Sequence, residues 1–98
     1  MTSLPCKPAP CVMIVDDSVA NVRFLSHLLQ DLGDVVFATN GQDALQLARE
    51  KEPDLMLLDV EMPGMDGYEV CRLMKDDKAL AQCAVIFITG HTGAEYEI

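Results

Sequence analysis

The sequence has few basic side chains and no long hydrophobic run. Seven Lys and Arg residues stand against sixteen Asp and Glu residues, which gives a formal net charge of −9 at pH 7. Because nucleic acids and anionic membranes attract basic patches, this balance argues against either of them as the main partner. The longest apolar stretches have about five residues, whereas a membrane-spanning helix needs roughly 20. We therefore expect no direct nucleic-acid binding and no membrane insertion.

The cysteine patterns of metal and redox sites are also absent. The four cysteines include no Cys-x-x-Cys pair, and the two histidines, His27 and His91, lie far apart along the chain. Cys11, Cys71 and Cys83 sit among apolar neighbours, where a reduced cysteine acts as a small hydrophobic side chain. The N-terminus has no charged start followed by an apolar run, as a signal peptide would have. These features favour reduced thiols and a cytoplasmic location.

The length and composition fit one globular domain. The chain has 98 residues, of which 50% are hydrophobic, and a single domain typically takes about 100–200 residues. The first ten residues contain Pro5, Pro8 and Pro10, so we expect a flexible lead there and the domain itself over residues 11–98.

Beyond residue 10 the chain alternates short apolar runs with helical periodicity. One predicted helix is capped by Ser18 and stops at Gly33, a second is capped by Asn40, and a third covers about residues 68–76. Short strands are predicted at residues 12–15, 34–39, 55–58 and 85–88, and the first is a continuous apolar run typical of a strand buried on both faces. This alternation predicts an α/β fold with an open, doubly wound parallel sheet and helices on both faces.

Polar residues follow three of the predicted strands. Asp16 and Asp17 follow the first strand, Asp59 follows the third, and Thr89 follows the fourth. Open parallel sheets bind ligands at the carboxyl ends of their strands, near the point where the strand order reverses. If the three acids share a site, the first and third strands are neighbours, which predicts the strand order 2-1-3-4.

Three carboxylates at one point repel one another. A pair of charges about 4 Å apart costs about 1 kcal/mol in water and about 4 kcal/mol at an effective dielectric of about 20. A cation can offset this repulsion, and carboxylate oxygens with no cysteine or histidine nearby suit Mg²⁺. A carboxylate beside Mg²⁺ can also act as a nucleophile toward phosphorus and form an aspartyl phosphate.

Each of these residues also has a structural explanation when it is considered alone. For either aspartate after the first strand, a role as turn former or helix cap explains the residue as well as a role in a functional site does. Thr89 can likewise be explained as a strand-end residue. Glu61 and Asp66 lie in a loop with Gly and Pro, where we expect solvated side chains. Asp59 is harder to explain in this way, because it follows four apolar residues that should be buried. The shared position on one sheet edge favours a functional site.

Three segments resemble the receiver domain of two-component response regulators. The middle segment is the most specific, since an Asp closes an apolar strand and Met-Pro-x-Met-Asp-Gly follows soon after. The resemblance covers residues 11–98 and implies a flavodoxin-like sheet in the order 2-1-3-4-5. The segments are residues 12–17 (VMIVDD), 55–67 (LMLLDVEMPGMDG) and 85–90 (VIFITG).

The resemblance implies a role for each site residue. Asp59 corresponds to the phosphoryl-accepting aspartate, which attacks the phosphohistidine of a histidine kinase or a small acyl phosphate. Asp17 corresponds to a direct Mg²⁺ ligand, and Asp16 to an acid that reaches the metal mainly through water. Glu61 supplies a backbone carbonyl to the metal, and Thr89 is the switch hydroxyl that bonds a phosphoryl oxygen. The implied function is a Mg²⁺-dependent phosphoacceptor of a phosphorelay within a larger response regulator, not an enzyme itself, with a histidine kinase or phosphotransfer protein as partner.

The sequence departs from the family after Thr89, where only nine residues remain. In family members this region contains the fifth strand with its active-site lysine, the fifth helix and most of the fourth helix. We therefore expect an incomplete receiver domain over residues 11–98 that alone is phosphorylated slowly or not at all. We also expect the fourth strand to be an exposed apolar edge that can pair with another chain to give a dimer.

The output and two alternative functions stay open. Residues 64–71 resemble receivers that are fused to cyclic-di-GMP output domains, which suggests such an output domain in the parent chain. A non-phosphorylated interaction or dimerisation domain is the first alternative. The second is a Mg²⁺-dependent phosphohydrolase with an Asp nucleophile. Haloacid-dehalogenase-like enzymes of that kind carry Asp-x-Asp, however, where this chain has Asp59-Val60-Glu61.

Overall fold

Strands and helices alternate along the chain as the sequence predicts. The structure is a computed structural model and describes residues 10–88. Within that range the elements are, in order, β1 (Cys11–Val15), α1 (Val19–Leu29), β2 (Asp34–Ala38), α2 (Gly41–Lys51), β3 (Leu55–Asp59), α3 (Gly67–Lys75) and β4 (Ala84–Ile88). The predicted lead (residues 1–9 of it) and Thr89 lie outside the described range.

The four strands form one parallel sheet in the order β2-β1-β3-β4. Val15, the last residue of β1, lies beside Ala38 of β2 and Leu58 of β3, so the carboxyl ends of the three strands are level. Strand order reverses at β1, because the chain moves to one side for β2 and to the other side for β3 and β4. This topology confirms the predicted open, doubly wound, flavodoxin-like sheet.

The central strands are apolar because both of their faces are covered. All five residues of β1 are buried. Successive side chains of a strand point to opposite faces, so Met13 and Val15 face the cluster formed with α2 and α3, while Val12 and Ile14 face the side of α1. Burying one large apolar side chain contributes about 1.5–3 kcal/mol, so the two central strands dominate the core.

Helix starts agree with the sequence better than helix ends do. Ser18 and Asn40 cap α1 and α2 as predicted, each accepting a hydrogen bond from a backbone N–H three residues on. Gly33 is not the end of α1, which stops at Leu29 with a turn after it. Gly33 instead precedes β2, where the next residue, Asp34, donates its N–H to the carbonyl of Pro10 at 2.9 Å.

β4 is the outermost strand on its side of the described sheet, and its apolar side chains are only partly covered. Ile86 is 50% exposed and Phe87 is 41% exposed. The Phe87 ring contacts the ring of Tyr68 at the start of α3, with 5.0 Å between centroids. Pairing of this edge with another chain stays a prediction.

Among residues 10–88 the longest helices have 11 residues, and none could cross a membrane.

Candidate metal centre

The fold brings together three of the acids that the sequence singled out. Asp16 and Asp17 directly follow β1, and Asp59 is the last residue of β3, the neighbouring strand. One carboxylate oxygen from each of the three lies within 4.8 Å of the others. The cluster lies where the strand order reverses, the position at which open parallel sheets bind their ligands.

The three carboxylates differ in exposure. Asp16 is 1% exposed and Asp59 is 3% exposed, whereas Asp17 is open to solvent. A buried carboxylate is costly unless hydrogen bonds or a cation compensate for its lost hydration. The donors around each carboxylate therefore indicate which of them is already satisfied by the protein.

Asp16 is satisfied by neutral donors from the first turn of α1. Its Oδ1 accepts the backbone N–H of Ser18 at 2.9 Å, and its Oδ2 accepts the side-chain amide of Asn21 at 3.2 Å. Its own N–H donates to the carbonyl of Ala38 at 3.2 Å. The sequence interpretation did not single out Asn21. Its position five residues after Asp16, on the first turn of the following helix, is the sequence feature that could have indicated a contact with Asp16.

Asp59 is the least compensated of the three. Its Oδ1 accepts one hydrogen bond, from the backbone N–H of Glu61 at 3.3 Å. The pKa of Asp59 is raised from 3.8 to about 6, mainly by burial and next by the nearby carboxylate of Asp16, while the hydrogen bond from the Glu61 N–H acts in the opposite direction. In the described part of the chain no salt bridge joins a basic side chain to the cluster. A bound cation would compensate for the negative charge of Asp59.

The backbone at the end of β3 is held in place by hydrogen bonds with the loop that follows it and with β4. Gly67 donates its N–H to the carbonyl of Val60 at 2.9 Å, and Val60 donates its N–H to the carbonyl of Ile88 at 3.2 Å. A Cβ on Gly67 would collide with the carbonyl oxygen of Asp59 and lie 2.9 Å from the Cα of Val60. Only glycine allows this approach. Asp66, predicted as a solvated loop residue, is exposed but also caps α3 by accepting the N–H of Glu69 at 2.9 Å.

For two of the predicted site residues, Glu61 and Thr89, the structure leaves the predicted role untested. Glu61 is exposed next to the cluster, and the role of its carbonyl as a metal ligand stays a prediction. Thr89 lies outside the described residues. The residue before it, Ile88, is paired with Asp59 in the sheet register, so β4 ends at the cluster.

The donor set fits Mg²⁺. Hard cations prefer oxygen ligands, Mg²⁺ is usually held by one or two carboxylates with several waters, and the cluster offers carboxylates alone. Asp17 is exposed and accepts no hydrogen bond from residues 10–88, so its carboxylate is accessible to a metal. Asp16, whose two oxygens each accept a hydrogen bond, is better suited to hold a metal-bound water.

Comparison with known proteins identifies this arrangement. The profile of the response regulator receiver domain matches residues 12–98. The chain belongs to the response regulator receiver domain family. The match includes every site residue that the sequence resemblance singled out. Receiver domains are signalling domains that bind Mg²⁺ through acidic residues, and phosphorylation on Asp is characteristic of the family.

Relatives of known identity agree with this assignment. The chain is 45% identical over 83 residues to the response regulator PleD of Caulobacter vibrioides, a match that covers 84% of this chain and 18% of PleD. It is 40% identical over 79 residues to the polar-differentiation response regulator DivK of Brucella anthropi, covering 80% of this chain and 64% of DivK. This receiver sequence thus spans less than two thirds of the length of either relative.

Solved structures show the same fold. The chemotaxis protein CheY4 of Vibrio cholerae superposes with a TM-score of 0.78 at 32% identity, covering 89% of this chain and 73% of that chain. The N-terminal domain of a response regulator receiver protein from Methanoculleus marisnigri gives a TM-score of 0.79 at 30% identity, covering 84% and 68%. Both structures confirm the receiver fold.

Proposed function

We propose that this receiver domain accepts a phosphoryl group on Asp59 in a Mg²⁺-dependent reaction. Asp16, Asp17, Asp59 and the backbone carbonyl of Glu61 are the proposed metal-binding groups. The observation that carries the proposal is the cluster itself. Three carboxylates lie within 4.8 Å of one another, two of them are buried, and no basic side chain among residues 10–88 pairs with them.

The surroundings of each carboxylate support different roles. Asp59 is buried at a strand end with its backbone held by the following loop, and its Oδ2 accepts no hydrogen bond within the described range. A fixed carboxylate with a free oxygen is suited to be a nucleophile. Asp17, exposed and without donors in residues 10–88, is suited to direct metal binding. The two hydrogen bonds to Asp16 make it a support for the metal site.

In the proposed reaction an oxygen of Asp59 attacks the phosphorus atom of a phosphohistidine. The new O–P bond forms as the P–N bond to the imidazole breaks, and the released imidazole nitrogen takes up a proton. Asp16, Asp17 and Asp59 would hold Mg²⁺, which when bound would neutralise negative charge on the phosphoryl oxygens. The hydroxyl of Thr89 is proposed to bond a further phosphoryl oxygen.

The partners are inferred from the family. Receiver domains interact with histidine kinases or phosphotransfer proteins, so we propose one of these as the phosphodonor, in the cytoplasm. We also propose an output domain in the parent chain, of a kind related to cyclic-di-GMP, because residues 64–71 resemble receivers with that output. The family assignment disfavours the phosphohydrolase alternative. A non-phosphorylated interaction domain is the alternative that experiment must separate.

Metal binding and acyl-phosphate mimicry test the proposal directly. We expect calorimetric titration of the 98-residue protein with Mg²⁺ to show one site, and beryllofluoride with Mg²⁺ to give a bound signal by fluorine NMR. Asp59→Asn should abolish the beryllofluoride signal. Asp66→Asn is the matched control, because it removes a carboxylate from the same sheet edge and leaves a capping side chain in place.

Covalent labelling gives the second readout. After prolonged incubation with acetyl phosphate and Mg²⁺, any label that forms, at the low rate expected of this incomplete domain, should lie on the peptide containing Asp59 and should be lost when the metal is chelated. Mg²⁺ binding without beryllofluoride binding would favour the non-phosphorylated interaction domain. Label on another residue would contradict the assignment of Asp59.

A further inference from the structure

Asn21 contacts the metal centre from outside the set of acids. Its side-chain amide donates to Oδ2 of Asp16 at 3.2 Å. The other oxygen of Asp16 is already held by the backbone N–H of Ser18 at 2.9 Å. The two donors approach different oxygens, so together they fix the rotation of the carboxylate as well as its position.

Asn21 is itself fixed by the start of α1. Its backbone N–H donates to Oγ of Ser18 at 3.3 Å, which is the capping bond of the helix. The next residue, Val22, is 4% exposed and donates its N–H to the carbonyl of Ser18 at 3.0 Å. The amide of Asn21 therefore projects from a part of the helix that is anchored to the sheet.

A neutral donor is the type of group that a cation site requires here. Repulsion from Asp17 and Asp59 favours rotation of the Asp16 carboxylate away from the cluster. A Lys or Arg beside Asp16 would oppose that rotation but would also cancel charge that attracts Mg²⁺. The amide of Asn21 holds the carboxylate by a hydrogen bond and leaves the charge of the cluster unchanged.

We propose that Asn21 is a positioning residue of the metal centre, which orients the carboxylate of Asp16 and thereby raises the affinity for Mg²⁺. The proposal rests on the metal site of the proposed function. Groups that orient metal-binding residues typically change metal affinity about 10–100-fold when they are mutated. Since Ser18 continues to hold the other oxygen, we expect the lower end of that range, about tenfold.

The experiment compares Asn21→Leu, which keeps the shape of the side chain and removes the donor, with Asn21→Gln, which keeps a donor amide. We expect the dissociation constant for Mg²⁺, measured by calorimetry on the 98-residue protein, to rise about tenfold in Asn21→Leu. Asn21→Gln should recover part of the loss. In the metal-free protein, the carboxylate carbon resonance of Asp16 should shift in Asn21→Leu and stay close to wild type in Asn21→Gln.

Asn40 provides the matched control. It also donates its side-chain amide to a carboxylate, that of Asp43 at 2.9 Å, and it also lies at the start of a helix. That pair is exposed and outside the acid cluster. We expect Asn40→Leu to lower thermal stability through loss of the cap while Mg²⁺ affinity stays at the wild-type value.

The outcomes separate this inference from the proposed function. Equal Mg²⁺ affinity in wild type and Asn21→Leu would overturn the role of Asn21 and leave the metal site standing. An equal loss of affinity in Asn21→Leu and Asn40→Leu would also overturn it, since general destabilisation would then explain both. A wild-type protein that binds no Mg²⁺ would overturn the proposed metal site together with this inference.

Discussion

The two ends of the sheet use aspartate in opposite ways. At the amino end, Asp54 joins the starts of three strands. Its Oδ2 accepts the N–H of Cys11 at 2.8 Å, its N–H donates to the carbonyl of Cys11 at 2.8 Å, and its carbonyl accepts the N–H of Ala84 at 3.1 Å. At the carboxyl end, Asp16, Asp17 and Asp59 gather three like charges.

The contrast shows where stability and function reside in this fold. At the amino end an aspartate makes bonds that hold β1, β3 and β4 in register. At the carboxyl end the strands, together with the loops that follow them, hold aspartates in an arrangement that like charges would not adopt by themselves. Removing the negative charge of a clustered aspartate should therefore stabilise the metal-free protein, whereas removing the side chain of Asp54 should destabilise it.

The largest effect should come from disturbing the backbone that holds Asp59 in place. Gly67→Ala puts a methyl group against the carbonyl oxygen of Asp59 and 2.9 Å from the Cα of Val60. Overpacking against backbone atoms that cannot move aside costs about 3 kcal/mol. Urea denaturation should show a decrease of that size in the free energy of unfolding.

Gly64 is the control for this substitution. It lies in the same loop with a φ of +81°, and an added Cβ would meet nothing within 4 Å. Gly64→Ala should cost only the strain of the left-handed conformation, about 1 kcal/mol. Equal losses at the two glycines would mean that contact with the backbone at the end of β3 is not what makes Gly67 necessary.

The second effect has the opposite sign. Asp59→Asn removes the charge that burial and the neighbouring carboxylates disfavour, and the new amide can donate to Asp16 or Asp17. Folding raises the pKa of Asp59 from 3.8 to about 6, and each tenfold change in proton affinity corresponds to about 1.4 kcal/mol. This change corresponds to about 3 kcal/mol, and screening by water at the cluster, where Asp17 is exposed, lowers the effect. We therefore expect the metal-free protein to gain about 2 kcal/mol at neutral pH, measured by urea denaturation.

The pH dependence checks the sign of this gain. The folded state of wild type binds a proton on Asp59 more tightly than the unfolded state does, so its stability decreases as pH rises between 3.8 and about 6. Above about 6 the full difference from Asp59→Asn should be present, and below 3.8 it should vanish. A gain that does not vary with pH would point to packing and not to charge.

Replacing Asp54 at the amino end of the sheet should destabilise the protein without changing the proposed metal site. Asp54→Ala removes the carboxylate oxygen that accepts the N–H of Cys11, and loss of a hydrogen bond to a charged group costs about 1.5 kcal/mol. Asp54→Asn keeps an acceptor oxygen and should recover most of that loss. Calorimetric titration should give wild-type Mg²⁺ affinity for both variants. Weakened Mg²⁺ binding would show that the two ends of the sheet are coupled.

The sheet and the acid cluster were predictable because each depends on residues that are close together in the sequence, namely an apolar run and the acid that follows it. Apolar runs such as residues 55–58 have to be buried, and an acid directly after such a run has to lie at a strand end. Placing Asp16 and Asp59 in one site then determined the strand order, which the structure confirms. The resemblance of residues 55–67 to receiver domains lies in one continuous segment, so it was recognisable without a structure.

Features that depend on packing between segments were not predictable. The hydrogen bond from Asn21 to Asp16 depends on how α1 lies over the end of β1 and on one side-chain rotamer. The end of α1 was predicted wrongly at Gly33, because glycine is a common helix stop but here precedes β2 beside Pro10. Thr89 lies outside the described residues, so its role stays a prediction.

The smallest effect tests whether every carboxylate at the carboxyl end belongs to the metal site. Asp66 lies on that side of the sheet, but its Oδ1 accepts the N–H of Glu69 at 2.9 Å and caps α3. Asp66→Ala should cost about 1 kcal/mol in urea denaturation, and Asp66→Ser, which keeps a capping oxygen, should cost much less. Mg²⁺ affinity should match wild type in both variants. A weaker affinity in Asp66→Ser, where the helix start is preserved, would mean that the negative charge of Asp66 contributes to the metal centre and that its boundary is wider than the three clustered acids.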